Sequence, residues 1–207
     1  MKVTALEELS RSRSKVYIDG EFAFVLYKGE LRFYHLSVGE EIAQKDYDEI
    51  WNEVLPKRAK LRAMNLLTKR EYTEKQLCDK LKAGFYPQEI IREALDYVAG
   101  FHYTDDLRYA CDYIAGHEDS RSRRRIEQDL IGKGIDKLTL ERAWARWEEQ
   151  GGSQNEAAMI QALLKKRGYD AECAEIRERQ KTYAFLMRKG FSGEAVRKAL
   201  KADDIDT

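Results

Sequence analysis

The chain of 207 residues repeats one design three times, and that repetition restricts its fold more than any other feature. The clearest copy runs over residues 73–98, TEKQLCDKLKAGFYPQEIIREALDYV, two short amphipathic segments around a glycine. Ile126, Leu130, Gly134, Ile135, Leu140 and Trp144 hold the matching places in a second copy. Thr182, Leu186, Gly190, Phe191, Val196 and Leu200 hold them in a third. The apolar residue after each glycine (Phe85, Ile135, Phe191) is followed five residues on by another (Ile90, Leu140, Val196). In this alignment the first copy is one residue short, since Leu81 is closer to Gly84 than Leu130 is to Gly134 or Leu186 to Gly190.

Each copy has a physical logic. Leu77 and Leu81 are four apart and share a helix face. Thr73 with Gln76 makes a capping-box pattern, and Gly84 suits the left-handed residue that ends a helix. Phe85 is then expected to turn inward. Pro87 suits the first turn of a second helix, with Ile90, Ile91, Ala94, Leu95 and Val98 on its inner face. One such pair cannot bury its apolar face alone, so the copies are expected to form part of larger helical units.

Composition sets the class. Hydrophobic residues at 43% and charged residues at 36% fit a helical, well-solvated protein, and two prolines leave room for long helices. The formal net charge is zero, so bulk charge does not announce a nucleic-acid binder. Basic residues are nevertheless in excess in the first and third repeats. Cys78, Cys111 and Cys173 lack metal-type spacing and are expected on helices as inert thiols in a reducing cytoplasm. The N-terminal MKVTALEELSRSRSK has no signal-peptide core, and the longest apolar run is too short for a membrane span.

Along the chain, residues 15–36 read as three antiparallel strands. KVYID and EFAFVLY flank an Asp19-Gly20 hairpin turn, and a Lys28-Gly29 turn leads into LRFYHL. Residues 45–54 read as a short helix, and Pro56 as the start of another that runs to Arg70. Further helices are expected at 73–83, 87–100, 122–131, 136–150, 153–167, 171–189 and 192–201, with one more behind Thr104-Asp105-Asp106. The domains are then 1–55 (sheet and short helix), 56–103, 104–150 and 151–207, the last ending in an acidic tail, 202–207, expected to fray.

No constellation reads as catalytic or metal-binding, and no cofactor is implied. His35, His102 and His117 have no ligand spacing, and nucleophile-elbow and phosphate-loop motifs are absent. Basic clusters remain. Arg121, Arg123, Arg124 and Arg125 lie at or before a helix start, where they oppose the helix dipole and so invite an anionic partner. Lys165, Lys166 and Arg167, and then Arg188 and Lys189, lie at helix ends where positive charge is favourable anyway. Lys69, Arg70 and Lys133 complete the candidate contacts. Sequence-specific DNA reading is disfavoured, because second helices such as IIREALDYV offer few side chains suited to base edges.

At this point the residues resemble a family. Ala63, Leu66-Leu67, Arg70-Glu71-Tyr72-Thr73, Leu77, Lys80-Leu81 and Gly84-Phe85 are similar to the first repeat of the bacterial RecX proteins. Asp105-Asp106, Arg108-Tyr109-Ala110, Ser122, Arg125-Ile126, Leu130 and Lys133-Gly134-Ile135 resemble their central repeat. Phe185-Leu186, Arg188-Lys189-Gly190-Phe191-Ser192 resemble the last, so that the likeness spans roughly 59–200. It implies a mainly α protein of three tandem three-helix, helix-turn-helix-like repeats in an elongated curved array, preceded by a small antiparallel β segment. It also implies a cytoplasmic, monomeric regulator, not an enzyme, that binds the RecA–single-stranded DNA filament. Such proteins hinder filament extension, ATP hydrolysis, strand exchange and coprotease activity in the SOS response, with weaker phosphate contacts to single- or double-stranded DNA. The alternative is a DNA-binding protein that acts through its repeats without RecA.

Overall fold

The structure is a computed structural model and describes residues 1–201; the acidic tail lies outside the described residues. The fold is mainly helical behind a three-stranded antiparallel sheet, and the chain divides into two compact units, Met1–Asp105 and Asp106–Thr207.

In the first unit, β1 (Val3–Ser10), β2 (Arg13–Ile18) and β3 (Glu21–Tyr27) pair in sequence order. Asp19 (φ 51°) and Gly20 (φ 90°) form the left-handed hairpin turn expected between β2 and β3. The third strand is not LRFYHL. Residues Lys28–Phe33 form helix α1, because the Glu30 carboxylate accepts from the Tyr27 N–H at 2.7 Å and caps a helical turn there. His35 follows in a left-handed conformation (φ 52°), outside any strand. The N-terminal segment supplies the missing strand instead. Half of the β1 side chains are exposed and they do not alternate with buried ones, which hides the pattern that marks a half-buried strand. Its outer edge is covered in part by residues 39–42, whose backbone bonds to Met1 and Val3.

Helix α2 (Gln44–Glu49) continues through a π turn at Ile50–Val54 into α3 (Leu55–Leu67). Pro56 therefore lies inside a continuous helix and does not start one. Its ring would press on the carbonyl four residues back, at Asn52, and the π turn widens the helix there. Helices α4 (Glu74–Lys82) and α5 (Gln88–Gly100) close the unit over a core that includes Val16, Phe24, Ile50, Ala59, Leu77, Leu81 and Ile91. Thr73 caps α4 as expected. Its hydroxyl accepts from the Gln76 N–H at 3.2 Å, and Gln76 reciprocates at 3.3 Å.

The second unit contains two three-helix groups, each with its own core. Helices α6 (Asp106–Ala115), α7 (Arg123–Gly132) and α8 (Lys137–Glu149) bury Ile114, Ile126, Leu130, Ile135, Leu140 and Trp144. Helices α9 (Glu156–Arg167), α10 (Ile176–Arg188) and α11 (Gly193–Leu200) bury Ile160, Leu164, Leu186, Phe191, Val196 and Leu200. Helix α10 begins later than its apolar pattern suggests. Arg179 binds the Ala171 and Ala174 carbonyls and holds the preceding residues in a turn, so exposed Cys173 is not helical. Among the described residues no helix is long and apolar enough to cross a membrane.

The repeat register differs from the glycine alignment. The left-handed residue of the first corner is Phe85 (φ 64°), in the place of Gly134 (φ 97°) and Gly190 (φ 87°). Leu77, Leu81, Phe85, Tyr86, Ile91 and Leu95 then match Ile126, Leu130, Gly134, Ile135, Leu140 and Trp144 without a gap. They match Thr182, Leu186, Gly190, Phe191, Val196 and Leu200 equally well. The first copy is therefore not short; its glycine has moved one residue forward of its slot. Tyr86, not Phe85, is the residue that packs against the core, and Phe85 remains 37% exposed. A non-glycine residue in this region carries about 1–2 kcal/mol of strain.

Two stability differences follow. A Cβ at Gly190 would lie 2.5 Å from the Arg125 Cβ and 2.6 Å from the Ser122 Oγ, whereas one at left-handed Gly168 would meet nothing within 4 Å. Gly168→Ala should cost about 1 kcal/mol in urea unfolding, and Gly190→Ala about 2 kcal/mol more. Thr182 is wholly buried where the other repeats have Leu77 and Ile126, and its hydroxyl has no hydrogen-bond partner among the described residues. Thr182→Val should therefore stabilise the protein by about 1 kcal/mol, shown by a higher urea midpoint.

Candidate interaction surface

The arginine cluster at the start of α7 sits where Ser122 caps the helix, its hydroxyl accepting from the Arg125 N–H at 3.3 Å. Most of its charge is spent within the chain. Asp129, one turn further along α7, pairs with Arg121 at 2.5 Å and with Arg125 at 2.9 Å. Arg121 also donates to the Tyr113 hydroxyl at 2.8 Å. Burial pushes the Tyr113 hydroxyl up in pKa, and the Arg121 charge works against that rise. Arg123 binds Glu127 at 3.0 Å and Glu148 at 2.8 Å, with its guanidinium 4.5 Å from the Trp144 ring centroid. The unfavourable dipole position is thus offset by three carboxylates, of which Glu148 lies outside the helix and does not show in its local pattern. Arg124 differs: it is exposed and makes no ion pair among the described residues.

The tertiary structure gathers three of the expected clusters along one continuous set of contacts. Ser122 N–H donates to the Lys189 carbonyl at 3.1 Å, and Gly190 packs directly on Ser122 and Arg125. The corner between α10 and α11 is therefore seated on the start of α7, with the Lys189 backbone against Ser122 and Gly190 against Arg125. Lys189 and Arg167 both lie over the Phe185 ring, at 5.8 and 5.0 Å from its centroid. Arg167 ends α9, so Lys165 and Lys166, both exposed, belong to the same neighbourhood. Lys133 lies over the Tyr109 and Tyr113 rings and joins the set through Tyr113 and Arg121.

Lys69 and Arg70 belong to the first unit, in the exposed connection between α3 and α4, where Arg70 stacks 4.3 Å from the Tyr72 ring centroid. His117 stacks on Tyr113 with ring centroids 4.1 Å apart and bonds the Tyr113 carbonyl, which is a structural role. Asp170 holds the exposed Cys173 thiol above its ordinary pKa, which keeps it a poor nucleophile. The sets of contacts therefore suit the holding of phosphates or carboxylates by basic side chains.

Asp129→Ala leaves Arg121 and Arg125 without their carboxylate and should cost about 2 kcal/mol in chemical unfolding. Arg124→Ala at an exposed helix position should change stability by less than about 0.5 kcal/mol. The contrast, measured by urea titration, separates the structural arginines of the cluster from the available one.

Comparison with known proteins agrees with this architecture. The model of the RecX first three-helix domain matches residues 59–97, and that of the RecX third three-helix domain matches residues 154–200. The Regulatory protein RecX of Caldanaerobacter subterraneus subsp. tengcongensis is 32% identical over 190 residues, which is 91% of this chain and 92% of that protein. The Regulatory protein RecX of Clostridioides difficile is 26% identical over 204 residues, 96% of this chain and 93% of that one. A crystal structure of a regulatory protein RecX aligns with a TM-score of 0.57 at 26% identity, covering 98% of this chain and 99% of that one. With this similarity running almost end to end, and with three helical repeats behind an N-terminal sheet, the chain belongs to the RecX family of regulatory proteins.

Proposed function

We propose that this protein binds the RecA–single-stranded DNA filament in the bacterial cytoplasm and inhibits its extension, ATP hydrolysis, strand exchange and coprotease activity. The observation that carries the reading is the near full-length similarity to proteins named as regulatory, since a regulator acts through a partner and not through a reaction of its own. The chemistry of the surface supports it. A filament offers protein and phosphate together, and the repeats carry basic side chains in more than one place, some held by internal carboxylates and others, such as Arg124, Arg188 and Lys166, outside any ion pair among the described residues. Modest contacts repeated along one chain add through effective concentration, so no single residue has to dominate. The protein acts as a monomer in this reading, and its contacts with free DNA are weaker and mainly to phosphate.

The test is RecA ATP hydrolysis on single-stranded DNA with the protein titrated in. Inhibition at substoichiometric protein is expected, because blocking a growing end affects many subunits behind it. The combined variant Arg124→Ala, Arg188→Ala and Lys189→Ala should raise the half-inhibiting concentration by about tenfold while remaining folded. No inhibition up to equimolar protein would reject the filament reading. Inhibition unchanged in the folded variant would remove these residues from the contact surface.

A further inference from the structure

The first unit holds a second collection of positive charge, built from residues outside the basic clusters of the sequence. A cleft of about 480 Å³ opens between the sheet and the first repeat, lined by Arg13, Tyr27, Arg62, Lys80, Tyr86 and residues 83–84. Its three cations come from three elements, β2, α3 and α4, and no lining residue is acidic. Among the described residues Arg13, Arg62 and Lys80 form no ion pair. Neighbouring Arg58 shows the contrast. Its guanidinium is taken by Glu30, by the Val25 carbonyl at 3.0 Å and by the Tyr27 ring at 4.8 Å, so it anchors α3 to β3 and has little left for a ligand.

The positive field converges. Burial raises the Tyr86 hydroxyl in pKa, while the charges of Arg58, Arg62 and Arg13 all pull it back down. Bringing like charges together without a carboxylate is unfavourable for folding alone and favourable for holding an anion.

The surroundings narrow the kind of anion. Tyr27 borders the cleft with 42% of its surface exposed, and Phe85, at the edge of an adjoining recess, is 37% exposed. Phe22, also 42% exposed, meets Phe85 edge-on at 6.4 Å. Phe85 is also the strained left-handed residue where the other two repeats have glycine. Arg58 already lies over the Tyr27 ring and Lys15 over the Phe85 ring, so the surface each ring leaves exposed is what a base could stack on. Exposed ring surface beside unpaired cations serves a strand whose bases are free to stack, and a duplex keeps its bases stacked inside. A protein carboxylate would need the cations and not the rings.

We propose that this cleft binds single-stranded nucleic acid, a phosphate lying among Arg13, Arg62 and Lys80 and a base against the exposed rings of Tyr27 and Phe85. The site uses none of the basic side chains discussed above and stands whether or not RecA is the partner.

The experiment is fluorescence anisotropy of a labelled oligothymidine with the full chain and without RecA, over a salt series that starts at about 50 mM. The wild type should bind the oligonucleotide. The triple variant Arg13→Gln, Arg62→Gln and Lys80→Gln should bind at least about tenfold more weakly, and its log–log salt slope should flatten by about 1 to 2. Lys80→Glu alone, at an exposed helix position, should weaken binding by about threefold and gives the same answer if the triple variant is unstable. Tyr27→Leu should weaken oligothymidine binding by about fivefold and leave binding of inorganic polyphosphate unchanged, which separates stacking from charge. Wild-type binding absent at the lowest salt, or equal in the folded triple variant, would overturn the proposal. Equal loss of oligothymidine and polyphosphate in Tyr27→Leu would overturn the stacking assignment. If the triple variant loses its effect on RecA but keeps its affinity for oligothymidine, the cleft takes an acidic group of a protein, and the nucleic-acid assignment fails. Loss of oligothymidine binding with RecA inhibition intact would support the cleft and leave the filament reading to its own test.

Discussion

The left-handed residue that joins two helices in each repeat is the constraint from which the rest of this structure follows. It ends one helix, sends the next residue (Tyr86, Ile135 or Phe191) towards the core, and starts a second helix one residue later, at Pro87, Asp136 or Ser192. Because that corner is rigid, the apolar residues on both sides keep the same spacing in all three repeats. The corners are contact points as well. Gly190 has no side chain, so the third repeat can seat its corner against Ser122 and Arg125 at the start of α7. That contact brings together basic residues far apart in sequence.

Electrostatics in this protein are governed by local pairing more than by total charge. The net charge is zero, yet Asp129 serves two arginines, Glu127 and Glu148 hold a third, and Arg13, Arg62 and Lys80 share a cleft that no acidic side chain lines. An arginine in a basic run is therefore not automatically an arginine available to a partner. Arg121 and Arg123 each commit two hydrogen bonds to holding the second repeat together. Arg124, between them and Arg125 in sequence, is exposed and makes no ion pair among the described residues. Such a distribution offers charge at selected points without a strong general pull on polyanions.

The strain at Phe85 connects the two themes. In the second and third repeats glycine holds the left-handed conformation without steric penalty, and its absence from the first corner has a local cost. What the first repeat has in exchange is an exposed ring, held by Phe22 and by Lys15 at 5.2 Å, beside the basic cleft. The first repeat is thereby distinguished from its sister copies on the face that meets the N-terminal sheet.

Helix periodicity, capping residues and apolar spacing made the repeats and most of the core legible from sequence, because these depend on neighbours within a few residues. Thr73, Ser122 and Ser192 cap the helices that their sequence positions suggest, and Leu81, Leu130 and Leu186 are wholly buried. Family membership was legible for the same reason. The features that failed to show were set by contacts across the chain. β1 is a half-exposed edge strand, α1 is nucleated by Glu30, and Pro56 is absorbed by a π turn. The glycine of the first corner misled because Phe85, which also contacts distant Phe22 and Lys15, takes the left-handed position in its stead. Basic residues showed as runs in the sequence, but which of them are paired depends on carboxylates such as Glu148 and on the convergence of β2, α3 and α4. Sequence alone determined the repeated helical architecture, whose causes are local; only the tertiary structure decided where charge is left available, because pairing acts through space.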